Sequence, residues 1–271
     1  MQSTLIQMCL LMLGGIVWQL VEPMGLAAEQ TRKVLTTVVY NYFLPALILG
    51  VLWTADIGLH SLQYSLLATT CTVFGMICFW ATGTVLRFEH RSLGAMILAA
   101  AFPNVTYLGL PVLEQTFGTW ARSIVIQLDL FAISPLLFTL GIVVVRRYGK
   151  DTNNSRQPLL AFLNAPPFWA AGVAVPLNLY GLTAPIWLTE TLKLLSGAVI
   201  PLMLFSLGLA LNWKTIKIRS IPYMLPVILI KLILIPLFAI GIADHLTIAN
   251  NFKAAAVLDL AMPSMVLGVV L

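Results

Sequence analysis

Charge is scarce in this chain. Asp, Glu, Lys and Arg make up 9% of 271 residues, while 60% are hydrophobic. Soluble domains carry about 25% charged residues, so an ordinary soluble domain is excluded. Cysteine is also rare: Cys9, Cys71 and Cys78 all lie in apolar runs. Cys71 and Cys78 share a helix face, but at that spacing they sit about 10 Å apart, too far to bridge. The three read as packing residues and not as a disulfide scaffold. His60, His90 and His245 fall in loops or at span ends, so no histidine pair lies in the apolar segments to hold haem or metal. The metalloprotease and nucleophile-elbow motifs and the glycine-rich phosphate loop are missing too. With loops too short for a catalytic domain, their absence argues against a membrane-embedded enzyme. No cofactor is expected.

Long apolar runs are what the chain has. Nine read as membrane spans, near 4–21, 34–54, 62–86, 93–117, 121–145, 165–181, 187–212, 222–243 and 250–271. No basic residue precedes the first, so it reads as a retained helix and not a cleaved signal. The net charge of +5 does not point to nucleic acid, because the basic residues sort by loop. With the N-terminus outside, Arg32, Lys33, Arg87, Arg91, Arg146, Arg147, Lys150, Arg156, Lys214, Lys217 and Arg219 face one side. Arg122, Lys193 and Lys253 face the other. This bias makes the N-terminus external and the polar segment 148–164 cytoplasmic. The expected organisation is a first repeat over 1–147, a linker over 148–164 and a second, incomplete repeat over 165–271.

The repeat is visible in the prolines. Ala101-Phe102-Pro103-Asn104 and Ala261-Met262-Pro263-Ser264 each interrupt an apolar run. Each follows another proline-centred span, with Pro45 lying 58 residues before Pro103 and Pro201 lying 62 before Pro263. Breaks are expected at all four prolines. An odd number of spans per unit inserts the second copy upside down, and an inverted repeat with discontinuous helices is the sequence signature of a secondary transporter. The copy of span 5 is missing, and 8 residues follow Pro263 where 43 separate Pro103 from Arg146. The repeat therefore predicts a tenth span lost by truncation, with a natural nine-span chain as the alternative.

Asn104 and Ser264 directly follow the two breaks. A half-helix starting there offers free N–H groups and a positive dipole end, suited to a carboxylate. Either residue also suits a helix cap. Thr106 and Tyr107 add hydroxyls near the same place, and Gly109 and Gly268, one turn beyond each break, allow close backbone approach. Asp129, Lys231 and Asp259 lie within spans and are expected to face the protein interior. Lys231 and Asp259 lie at similar depth. They form a pair, or else Asp259 carries a proton while Lys231 attracts the anion. Asp129 is a second candidate for coupling to H+ or Na+.

Four stretches carry a family resemblance: Asn41-Tyr42-Phe43-Leu44-Pro45-Ala46, Tyr107-Leu108-Gly109-Leu110-Pro111, Pro201-Leu202-Met203-Leu204-Phe205 and Ala261-Met262-Pro263-Ser264. Together they resemble the auxin efflux carrier family of bacterial and plant permeases, over nearly the whole chain. The resemblance implies an all-α polytopic membrane protein of ten spans. Two inverted five-helix units would cross at two broken helices, as in bile-acid symporters and sodium–proton antiporters. Spans 1, 2, 6 and 7 would form a scaffold and the others a transport domain. It further implies a small organic anion as substrate (malate, malonate or auxin), a bacterial cytoplasmic membrane location and a homodimer. A passive channel or a membrane sensor is the competing reading.

Overall fold

The computed structural model describes residues 2–149, 163–211, 221–246 and 249–265. Among these the regular structure is helical, with one isolated antiparallel bridge between Pro103 and Ser264. Long apolar runs select helix because a helix satisfies its own backbone groups where water is absent. In chain order the elements are α1 (Gln2–Val21), α2 (Ala28–Trp53), α3 (Leu59–Val85) and α4 (His90–Ala101). Then come α5 (Val105–Gly109, then Leu110–Phe117), α6 (Ala121–Tyr148) and α7 (Pro166–Leu179). The last are α8 (Ile186–Ala210), α9 (Ile221–Leu229, Ile230–Leu234 and Ile235–Ala243) and α10 (Asn250–Leu260). Five are long and apolar enough to cross a membrane as continuous helices: α2, α3, α6, α8 and the Met224–Ala243 part of α9. Of the other expected spans, α1 is apolar over Ile6–Val21, and the rest are shorter or interrupted. The α7 helix has 14 residues, and α4 and α10 stop after 12 and 11 where the chain breaks.

The prolines do not act alike, and the expectation of breaks at Pro45 and Pro201 is corrected: the chain stays helical through both. Pro45 follows a π-helical turn, Val39–Phe43, in which the Leu44 N–H reaches back to the Val39 carbonyl. A proline ring presses on the carbonyl four residues earlier, here that of Asn41, and the wider turn makes room for it. The same pairing recurs at Asp129–Ile133 before Pro135 and at Ile230–Leu234 before Pro236. A π-turn over Val105–Gly109 likewise precedes Pro111. Pro201 lies in the first turn of Val199–Ala210, just past an irregular turn at Ala198. First-turn N–H groups have no intrahelical partner, so proline removes nothing there.

The helices group into two compact units. Unit 1 comprises residues 1–57, 110–123 and 164–216, and unit 2 comprises 58–109, 124–163 and 217–271. Within unit 1, α1 packs on the Val199–Ala210 part of α8, and α7 packs on the Leu44–Trp53 part of α2. Glycines let the first pair touch backbone to backbone: a methyl group on Gly15 would overlap the Phe205 carbonyl, and one on Gly208 the Met12 carbonyl. Gly208→Ala should therefore force the helices apart, at about 1–3 kcal/mol for overpacking. Thermal unfolding in detergent should show a lower midpoint, and an unchanged midpoint would contradict this contact. The ends of α2 and α7 are tied by polar bonds. Asn178 Nδ2 donates to the Trp53 and Ala55 carbonyls at 2.8 Å each, and Trp53 Nε1 donates to the Leu182 carbonyl at 2.7 Å.

Within unit 2, α3 packs on α4, and the Ile235–Ala243 part of α9 packs on both α3 and α10. Phe74 and Phe238 stack with ring centroids 3.8 Å apart. The Ile142–Tyr148 end of α6 packs on α4, where Gly94 receives the Tyr148 side chain. This packing brings the ends of α4 and α10 together.

Candidate functional site

The site is built where α4 and α10 end in unit 2. Pro103 supplies no N–H, and the residue before a proline is driven out of helical geometry. Phe102 is accordingly extended, at φ −89° and ψ 114°, and α4 ends at Ala101. Helix resumes at Val105. The freed backbone groups find partners across the gap. Asn104 N–H donates to the Pro263 carbonyl at 2.8 Å, and Met265 N–H donates to the Phe102 carbonyl at 3.0 Å. The two interruptions thus pair as a short antiparallel bridge.

Asn104 is 4% exposed. Its Oδ1 accepts the Tyr107 N–H at 3.2 Å, and its own carbonyl accepts the Leu108 and Gly109 N–H groups at 3.3 and 3.0 Å. It is therefore the cap of the half-helix that follows. The cap uses only the oxygen of the side-chain amide. Asn104 Nδ2 and the backbone N–H groups of Val105 and Thr106 donate to no described residue. Among the described residues, three donors at consecutive positions lack an acceptor at the positive end of a helix.

Other polar residues are committed to the protein. Thr106 Oγ1 donates to Asp129 Oδ2, and Ser134 Oγ donates to Asp129 Oδ1 at 2.7 Å. Ser264 was expected to offer its hydroxyl as a second substrate donor. It gives that hydrogen to the Ala99 carbonyl, at 2.5 Å, in the last turn of α4. Tyr107 is held through its backbone N–H. Gly268 lies outside the described residues.

Lys231 belongs to the π-turn of α9 and is 2% exposed. Its Nζ donates to the Ala101 carbonyl at 3.4 Å and to the Leu260 carbonyl at 3.3 Å. These are the last residues of α4 and α10, so one cation serves the negative ends of both helices. Among the described residues no salt bridge joins Lys231 to Asp259. Asp259 is 0% exposed, and neither carboxylate oxygen has a hydrogen-bond partner. Gly109 was expected to admit a crossing backbone. What it admits is this side chain, because a methyl group there would overlap Asp259 Oδ1.

Ser134 escapes sequence reasoning. It lies five residues after Asp129, and a five-residue spacing faces one way only in a π-turn, whereas an α-helix brings together positions three and four apart. Its signal was Pro135, one residue on, of the kind that forces such a turn.

A sequence model of the family described as membrane transport protein matches residues 2–159 and 153–271 of this chain. An uncharacterized transporter of Methanothermobacter thermautotrophicus is 31% identical over 278 residues, covering 99% of this chain and 87% of that protein. An uncharacterized transporter of Methanocaldococcus jannaschii is 24% identical over 254 residues, covering 91% of this chain and 81% of that protein.

Proposed function

The chain belongs to the membrane transport protein family, the auxin efflux carrier type its motifs resemble, and on that premise we propose that it is a secondary active transporter of a small organic anion. As a family member with several apolar helices it is an integral, multi-pass membrane protein. The observation that carries the proposal is the set of open donors at the break: Asn104 Nδ2 with the N–H groups of Val105 and Thr106. A carboxylate accepts several hydrogen bonds at once, and the start of a helix adds a favourable potential. Where water is excluded, such donors need an occupant, and an anionic substrate supplies the acceptors.

Alternating access follows from the family reading. Unit 2 carries the site and moves, and unit 1 is the scaffold. Unit 1 contains α1, α2, α7 and α8, which are the segments expected as spans 1, 2, 6 and 7. The packing of α1 on α8 and of α7 on α2 supports the inverted repeat, because exchanging the two halves turns one contact into the other. Asp129, Lys231 and Asp259 are the groups through which a coupling ion acts. The loop charges support an external N-terminus.

The test is malate transport by the purified protein in liposomes. Saturable uptake and counterflow are expected. Flux that does not saturate would make the protein a channel. Malate binding without flux would make it a sensor, and no interaction with malate would remove dicarboxylate from the proposal.

A further inference from the structure

Asp129, Lys231 and Asp259 are the acidic and basic side chains that the described residues place in the membrane-spanning part of unit 2, and two of them are already engaged. Lys231 is bound by the Ala101 and Leu260 carbonyls, and Asp129 accepts the hydroxyls of Thr106 and Ser134. Asp259 has nothing: it is fully buried, and both of its oxygens lack a hydrogen-bond donor among the described residues. Oδ1 rests against Gly109, and the Met262 side chain lies beside the same glycine. The charged groups acting on it are Asp129 and Lys231. Of the elements packed against α10, α3 contributes the Cys71 thiol, which lies near Lys231, and the π-turn Val105–Gly109 contributes Tyr107.

An ionised carboxylate in such a place gives up its hydration and gains no hydrogen bond. A hard metal cation is held by several oxygens together, and glycine and methionine offer no side-chain oxygen here. A proton needs a single oxygen and removes the charge.

We propose that Asp259 is the proton-binding site of this protein, carrying H+ while buried and releasing it when the break pair opens to water. The proposal rests on the transporter reading for its role in coupling. One proton would join the carboxylate on one side of the membrane, cross with the anion and leave on the other, with no other bond made or broken.

Two measurements test it. In detergent-purified protein, infrared spectroscopy should show the C=O stretch of a protonated carboxyl group. Asp259→Asn should remove that band and Asp129→Asn should leave it. A band unaffected by Asp259→Asn, or absent from the wild type, overturns the assignment. If Asp259→Asn fails to fold, wild-type liposomes loaded with a pH-sensitive dye give the answer. Malate uptake should acidify the lumen, and uptake without acidification overturns the proposal while leaving the transporter reading in place. Absence of malate uptake counts against the dicarboxylate transporter reading instead, and the infrared band of the wild type, which needs no substrate, then decides whether a buried proton is held.

Discussion

Asn104→Asp should keep the fold and lose the anion. Asn104 has two roles on two different atoms: Oδ1 caps the Tyr107 N–H, while Nδ2 is an open donor. Aspartate caps as well as asparagine does, so the half-helix should start as before. The open donor, however, becomes an anionic oxygen. Losing a hydrogen bond to a charged group removes about 1.5–3 kcal/mol. Repulsion between two anions about 4 Å apart adds a penalty of up to about 4 kcal/mol near a protein surface. Since about 1.4 kcal/mol is a factor of ten, malate should bind at least roughly 10-fold more weakly. Calorimetry in detergent would measure the binding, and a thermal scan would confirm that the midpoint is little changed. Asn104→Ala is the companion variant. It removes both atoms and should also lose about 1 kcal/mol of stability with the cap. Unchanged affinity in Asn104→Asp would remove this residue from the site.

Lys231→Met should be the most disruptive single change to unit 2. The side chain keeps its length and apolar stem but loses the ammonium that serves the Ala101 and Leu260 carbonyls. Each buried carbonyl left without a donor costs about 1–3 kcal/mol. Removing a buried charge returns part of its desolvation cost. The stem conserves packing, and the two helix ends still need a cation, so the net effect is a loss of about 2 kcal/mol or more. Malate binding should fall with it, because the two carbonyls mark the ends of the helices whose interruptions form the bridge. The thermal midpoint should drop by several degrees, at roughly 2–4 °C per kcal/mol for chains near this size. A midpoint at or above that of the wild type would mean that Lys231 does not tie the helix ends.

The interruption at Pro103 and the end of α10 before Pro263 were legible because each proline sits in an apolar run beside a small polar residue, Asn104 or Ser264. The same reasoning failed at Pro45 and Pro201, where the helix continues. A proline removes one N–H and crowds one carbonyl wherever it stands. A local remedy, a π-turn or a position in the first turn, keeps the helix intact. A full break at membrane depth requires partners for the freed groups, and those partners are not local. Asn104 and Phe102 find them at Pro263 and Met265. Asp129, Lys231 and Asp259 could be recognised as interior residues from the cost of charge in lipid. Which of them is engaged and which is left alone could not.

By itself the sequence determined the class of molecule. A chain 60% hydrophobic and 9% charged folds as apolar helices, and its motifs identify its family. Composition and short motifs suffice for this because the solvent acts on every residue alike. The tertiary structure decided which prolines break the chain and which donors stay open. It also decided how three buried charges divide their partners. The bonds that settle these matters join residues far apart in the chain: 29 and 130 positions for the two carbonyls of Lys231, and 165 for Ser264 and Ala99. No rule of spacing along one helix reaches that far.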